Sequence, residues 1–166
     1  DSYGGSYEGW VGVFDKVHRS GCGLDYSKID MEVDFAISFN EAGGTSNFYA
    51  DVARYGSSEM VTNANAGNVS SQSGTSGTMD VGTTFGGTGN MTLAYHNGYV
   101  SDTDKGIEFK IPIAAFSGVT NTQTVQFFTI ITSGRGYMSN ECIPGDPGDS
   151  NLGNDADLSS ISGQDF

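Results

Sequence analysis

The sequence predicts an all-β protein, a two-sheet antiparallel β-sandwich of jelly-roll or immunoglobulin-like type. Three observations predict it. Apolar and polar residues alternate over several stretches, with the period of two that puts one face of a strand on a core and the other in water. Turn formers separate these stretches: 25 of the 166 residues are Gly, and Ser, Thr and Asn are abundant. Strong helix formers are sparse, and no segment reads as a convincing helix. Short strands joined by turns lead to two packed sheets in a single domain over residues 1–166, with a closed barrel as the main alternative.

The elements follow in order. Residues 1–9 are rich in Gly, Ser and Tyr and are expected to be flexible. Trp10, Val11, Val13 and Phe14 form a short apolar segment. The clearest strand signal is next: Ile29, Met31, Val33, Phe35, Ile37 and Phe39 alternate with Asp30, Glu32, Asp34, Ala36 and Ser38. A turn cluster at residues 40–47 leads to a return strand over 48–55, with Phe48, Ala50 and Val52 on one face. Residues 62–90 form a Gly/Ser/Thr/Asn-rich tract, expected to be mostly surface loop, with a weak strand signal at Met79, Val81 and Phe85. Met91, Leu93 and Tyr95 mark another strand, and Asn97-Gly98 a two-residue turn. Ile107, Phe109, Ile111 and Ile113 alternate with Glu108 and Lys110, and Pro112 ends that strand or puts it at an edge. Over residues 125–132, Val125, Phe127 and Ile131 share one face and Phe128 and Ile130 the other, which predicts a central strand covered on both sides.

Charge excludes several functions. The chain has 20 Asp and Glu against 7 Lys and Arg, a net charge of -13. Nucleic acids and anionic membranes are poor partners for it, because both are bound through clustered Lys and Arg. No apolar run reaches the ~18 residues of a transmembrane helix. No signal peptide opens the chain, so an exported protein would be present as its processed form or a fragment. His18 and His96 are the only histidines. Neither belongs to a nucleophile motif, and no phosphate-binding glycine loop is present, so the protein is read as not an enzyme.

Three kinds of binding residue remain. The acidic tail offers Asp146, Asp149, Asn151, Asn154, Asp155 and Asp157, close together and interleaved with Gly. Ca2+ takes six to eight hard oxygens from such loops, so this segment is the candidate metal site. The same residue types are also ordinary turn formers. Trp10, Tyr95, Tyr99 and Tyr137, with Tyr55, are candidate exposed aromatics on which the C–H faces of sugar rings stack. Cys22 and Cys142 are the two cysteines, read as a disulfide that closes a loop of more than ~100 residues and contributes ~4–5 kcal/mol, or else as two buried thiols. Asp30, Glu32 and Asp34 project from one strand face and are read as a solvated face.

The second half of the chain resembles a known family. Gly106-Ile-Glu-Phe-Lys-Ile-Pro-Ile-Ala-Ala-Phe116 resembles the strand-and-turn of DOMON-like and family 9-like carbohydrate-binding sandwiches of secreted bacterial surface proteins. Gly136-Tyr-Met-Ser-Asn-Glu-Cys-Ile-Pro-Gly145, Asn151-Leu-Gly and Ile161-Ser-Gly163 resemble their C-terminal end. Asp34-Phe-Ala-Ile and Gly43-Gly-Thr-Ser-Asn-Phe-Tyr49 resemble their middle hairpin. The resemblance implies a sandwich in an extracellular setting, without known catalysis, whose relatives bind sugars or haem. It carries over no ligand residue. The family opens with extra strands that this chain lacks, which leaves a fragment or an unfilled sheet edge.

The resulting expectation is a secreted or cell-surface binding or adhesion module for extracellular glycan, with Ca2+ as a candidate helper. The alternative is a structural subunit of an extracellular filament or matrix, in which residues 1–10 of one copy complete the sheet of a neighbouring copy.

Overall fold

A computed structural model of the chain describes residues 33–41, 47–55, 60–70, 75–96, 106–132, 137–143, 150–153 and 156. They form β1 (Phe35–Glu41), β2 (Asn47–Tyr55), β3 (Met60–Ser70), β4 (Thr75–Asp80), a helical turn α1 (Gly82–Phe85), β5 (Asn90–His96), β6 (Gly106–Lys110), a 3-10 turn (Ile113–Ala115), β7 (Thr129–Thr132) and β8 (Met138–Ile143). Three antiparallel sheets result, in the orders β1-β2-β3, β4-β5-β6 and β7-β8. The described residues are mostly β-strand with little helix, consistent with the all-β class that the alternation predicts. It divides into two compact units: Ile37–Arg54 with Thr62–Gln123, and Asp1–Ala36 with Tyr55–Val61 and Thr124–Phe166.

In the first unit, β4, β5 and β6 show how alternation becomes a layer. The register sets Met79 opposite Met91, Gly77 opposite Leu93 and Leu93 opposite Phe109. Directly opposed residues share a face, so Met79, Met91, Leu93, Tyr95 and Phe109 point one way. Thr78, Asp80, Thr92, Glu108 and Lys110 point the other way and are exposed. On the first face Met79, Met91 and Leu93 are buried.

That face meets side chains of β1, β2 and β3. Phe39 packs on Phe109 with ring centroids 5.3 Å apart, and Phe48 stacks on Tyr95 at 4.1 Å. Between β3 and β4 the fit uses missing side chains. A Cβ at Gly77 would lie 2.6 Å from Cγ1 of Val69, and one at Gly67 would lie 3.3 Å from Cγ of Met79. Val69 and Met79 therefore each sit over a glycine on the facing strand, and both are buried.

This overturns the expectation of a loop over residues 62–90. The stretch holds most of β3, all of β4 and α1. Its low hydrophobicity reflects close approach: where backbones come near each other, only small residues fit, and the apolar cover comes from the opposite strand. The return strand over 48–55 stands, within β2. As the middle strand of its sheet, β2 is buried on both faces, including Asp51, Ala53 and Tyr55 on the face opposite to Phe48, Ala50 and Val52. In β1, Ser38 is buried although it alternates with the apolar set, so its face is not a purely solvated one. Ile29, Asp30, Met31 and Glu32 lie outside the described residues, as do residues 1–9.

In the second unit β7 and β8 pair antiparallel, with Ile130 opposite Cys142, Thr132 opposite Met138, and a bulge between. Met138 and Cys142 are buried. The other face is open. Val125, Phe127 and Ile131 are 71%, 70% and 59% exposed, and Ile143 is exposed with them. Residues 125–132 are thus not a strand covered on both sides. Only Thr129–Thr132 is strand, and among the described residues it has one neighbour, β8. Apolar groups on both faces reveal the capacity for double cover, not the presence of a cover.

Candidate functional site

The second unit brings two of the sequence-derived site residues to one edge. The backbone N–H of Met138 donates to the carbonyl of Gly153 at 2.8 Å, and that of Gly153 donates to the carbonyl of Met138 at 3.2 Å. This two-bond bridge pins residues 150–153 beside the start of β8. Tyr137 precedes one end of the bridge and is 47% exposed. Asn151 lies two residues before the other end and is also exposed. A Cβ on Gly153 would stand 4.0 Å from Cε2 of Tyr137, so the tyrosine ring lies along the Gly153 backbone. At φ +88°, Gly153 holds a left-handed conformation that suits glycine. The result is a half-exposed tyrosine and an exposed asparagine flanking one backbone bridge.

The other predicted residues fare differently. Tyr95 is not an open platform: one ring face is taken by Phe48, nearly parallel at 5°. Tyr55 is buried, and its backbone N–H donates to the carbonyl of Asp34 at 2.9 Å. Both strands place these rings inward, where an aromatic's area contributes most to a core. Trp10 and Tyr99 lie outside the described residues. So do Asp146, Asp149, Asn154, Asp155 and Asp157, which leaves Asn151 as the described part of the candidate Ca2+ segment. Among the described residues, no three His, Cys, Asp or Glu side chains gather as metal ligands. Cys142 carries a free thiol on the buried face of β8, its Sγ 3.7 Å from the carbonyl of Asn140, rather than half of a disulfide. Its expected partner Cys22 lies outside the described residues, as does His18.

Three features of the first unit escape the sequence reading. Asp51 is 4% exposed, and its carboxylate accepts a hydrogen bond from Nδ2 of Asn65 at 2.9 Å. Its signal in the sequence is a single acid inside an apolar strand. Asp80 accepts from the Thr83 hydroxyl at 2.7 Å and from the Thr83 backbone N–H at 3.1 Å. The Thr83 hydroxyl first, then the backbone N–H groups of Thr83 and Gly82, hold the Asp80 carboxyl below its ordinary value of 3.8, against a smaller opposing effect of burial. An acid three residues before Thr is the local signature of such a turn. Arg54 lies against Gly86, which nothing in the sequence connects.

No protein family, curated protein or solved structure matches the chain. No helix among the described residues is long and apolar enough to cross a membrane.

Proposed function

We propose that this protein is a non-enzymatic, extracellular or cell-surface binding module for glycan. We read the paired sheets of the first unit as a β-sandwich of the DOMON-like or family 9-like carbohydrate-binding type that the sequence resembles. The observation that carries the reading is the edge at Tyr137 and Asn151. An exposed ring offers a flat apolar face to a sugar's C–H groups, and a neighbouring amide offers both a donor and an acceptor to hydroxyls. The bridge between Met138 and Gly153 ties the two backbone segments together, which lowers the backbone part of the entropy cost of binding. Ca2+ belongs to this proposal as a helper on the acidic tail. The test is a glycan array probed with the full chain in Ca2+ and in EDTA. Signal that falls at least tenfold in Tyr137→Ala supports the reading, and a blank array under both conditions overturns it.

A second reading is favoured by one specific observation. Residues 124–132 contain no charged side chain in a chain of net charge -13, and three of their apolar side chains, Val125, Phe127 and Ile131, are exposed. An uncharged, exposed apolar edge is a template for pairing with another strand. The corresponding function is a subunit of an extracellular filament or matrix built by strand donation between copies. Light scattering after size exclusion separates the two: a monomer at all concentrations removes the filament, and large assemblies with a blank array remove the glycan module.

A further inference from the structure

We infer that Asn90 is the acceptor of a covalent N-linked glycan, transferred to it from a lipid-linked oligosaccharide. The inference rests on the extracellular reading above, because such transfer takes place on the export route, outside the cytosol. Only Asn68 and Asn90 stand two residues before a Ser or Thr with a residue other than proline between. In Asn90-Met91-Thr92 all three side chains are described. The asparagine amide of such a tripeptide takes the sugar, and the hydroxyl two residues on is recognised with it.

The fold gives this tripeptide the phase that a glycan needs. Side chains along a strand alternate between its two faces. Asn90 is the first residue of β5, so Asn90 and Thr92 share one face and Met91 takes the other. Met91 has no exposed surface, whereas Asn90 and Thr92 are exposed. A shift of one residue would turn the asparagine into the core. A hydrated sugar chain attached there would have to be buried, at the cost of its hydrogen bonds to water.

The surroundings suit a sugar as well. Asn90 lies opposite Asp80, and Thr92 lies between Thr78 on β4 and Lys110 on β6. Thr78, Asp80 and Lys110 are exposed, as is Glu108 on the same face. The Asp80 carboxylate is engaged by Thr83 within its own turn. A glycan over this face covers groups that stay hydrated and displaces no packed side chain.

The transfer balances without an oxidant or a reductant. The side-chain nitrogen of Asn90 attacks the anomeric carbon of the sugar. A C–N bond forms, and the C–O bond to the carrier's diphosphate breaks. The nitrogen gives up one proton, and the polyprenyl diphosphate leaves.

The experiment is mass spectrometry of intact glycopeptides from the full chain, recovered separately from the cell surface or medium and from the cytosol of its source cells. The expected result is an exported protein whose Asn90 peptide is heavier by a sugar chain, with fragment ions that locate the chain on Asn90. Asn90→Gln and Thr92→Val are each expected to lose that added mass, and Thr92→Ser to keep a part of it. Exported protein with an unmodified Asn90, or with sugar on Asn68 alone, overturns this inference and leaves the extracellular reading standing. Protein found in the cytosol alone overturns both. Added mass that persists in Thr92→Val overturns recognition through the tripeptide. Sugar on Asn90 together with a blank glycan array supports this inference and sinks only the glycan-binding module.

Discussion

The layer β4-β5-β6 and the pair β7-β8 are both antiparallel and both rich in aliphatic and aromatic residues. They differ in where those residues go. In the first, Met79, Met91 and Leu93 are buried, and Met79 and Val69 each sit over a glycine of the facing strand. In the second, Met138 and Cys142 are buried while Phe127, Ile131 and Ile143 face water. The comparison teaches that hydrophobic content does not mark a core. Glycine-poor β7 has large side chains and an open face. Glycine-containing β3 and β4 have small ones and a closed interface, because Gly67 and Gly77 let the partner's Met79 and Val69 in.

The sharpest test of the comparison is a truncation at the centre of the closed region. Phe85 has no exposed surface and stacks on Phe116. Phe85→Ala is expected to cost about 3–5 kcal/mol, read by denaturant unfolding. A loss near zero would show that this region is not a packed core. The next effect concerns the glycine fit. Gly77→Ala places a methyl 2.6 Å from Val69 Cγ1, and overpacking of this kind costs roughly 1–3 kcal/mol. Adding Val69→Ala should recover part of that cost, because the two sites couple through one contact. Additive losses would break the account.

In the open region the expectation reverses. Phe127 is 70% exposed, so Phe127→Ser is expected to change stability by less than about 0.5 kcal/mol. It should raise solubility, measured by light scattering, since it removes apolar surface from a pairing-competent segment. A large loss would mean that Phe127 is covered in solution. The smallest effect is at Asp80. Its folded-state pKa is held below 3.8 by Thr83. A depressed carboxylate stabilises above its unfolded pKa, and that contribution is lost as pH falls through the folded value. Acid unfolding of Asp80→Asn should therefore show a slightly shallower pH dependence below about pH 4, and an unchanged slope would remove the Thr83 contacts from the account.

Much of the fold was legible in local pattern. The alternation of Met91, Leu93 and Tyr95 with Thr92 and Ala94 predicted β5, and Phe48, Ala50 and Val52 predicted one of the two buried faces of β2. The strand β3 was not legible, because Asn, Ala and Gly carry no alternation signal on their own. The overlap of Val69 with Gly77 is a fact about two strands, and no window along the chain contains it as a pattern. Of the candidate site, Tyr137 and Asn151 were each visible as residue types. Their shared edge depends on the bridge between Met138 and Gly153, a pairing of two short segments with no distinctive composition. The contact of Arg54 with Gly86 likewise joins two separate places in the chain.

The sequence by itself determined the all-β class, the polar outer face of β4-β5-β6 and the strongly anionic character. These follow from period, composition and charge, which act along the chain or sum over it. The tertiary structure alone decided which apolar residues are covered, which tyrosine stays exposed and which glycine lies against Arg54. Burial and pairing are set by what comes to lie across from a residue, and that neighbour is chosen by the packing of distant strands.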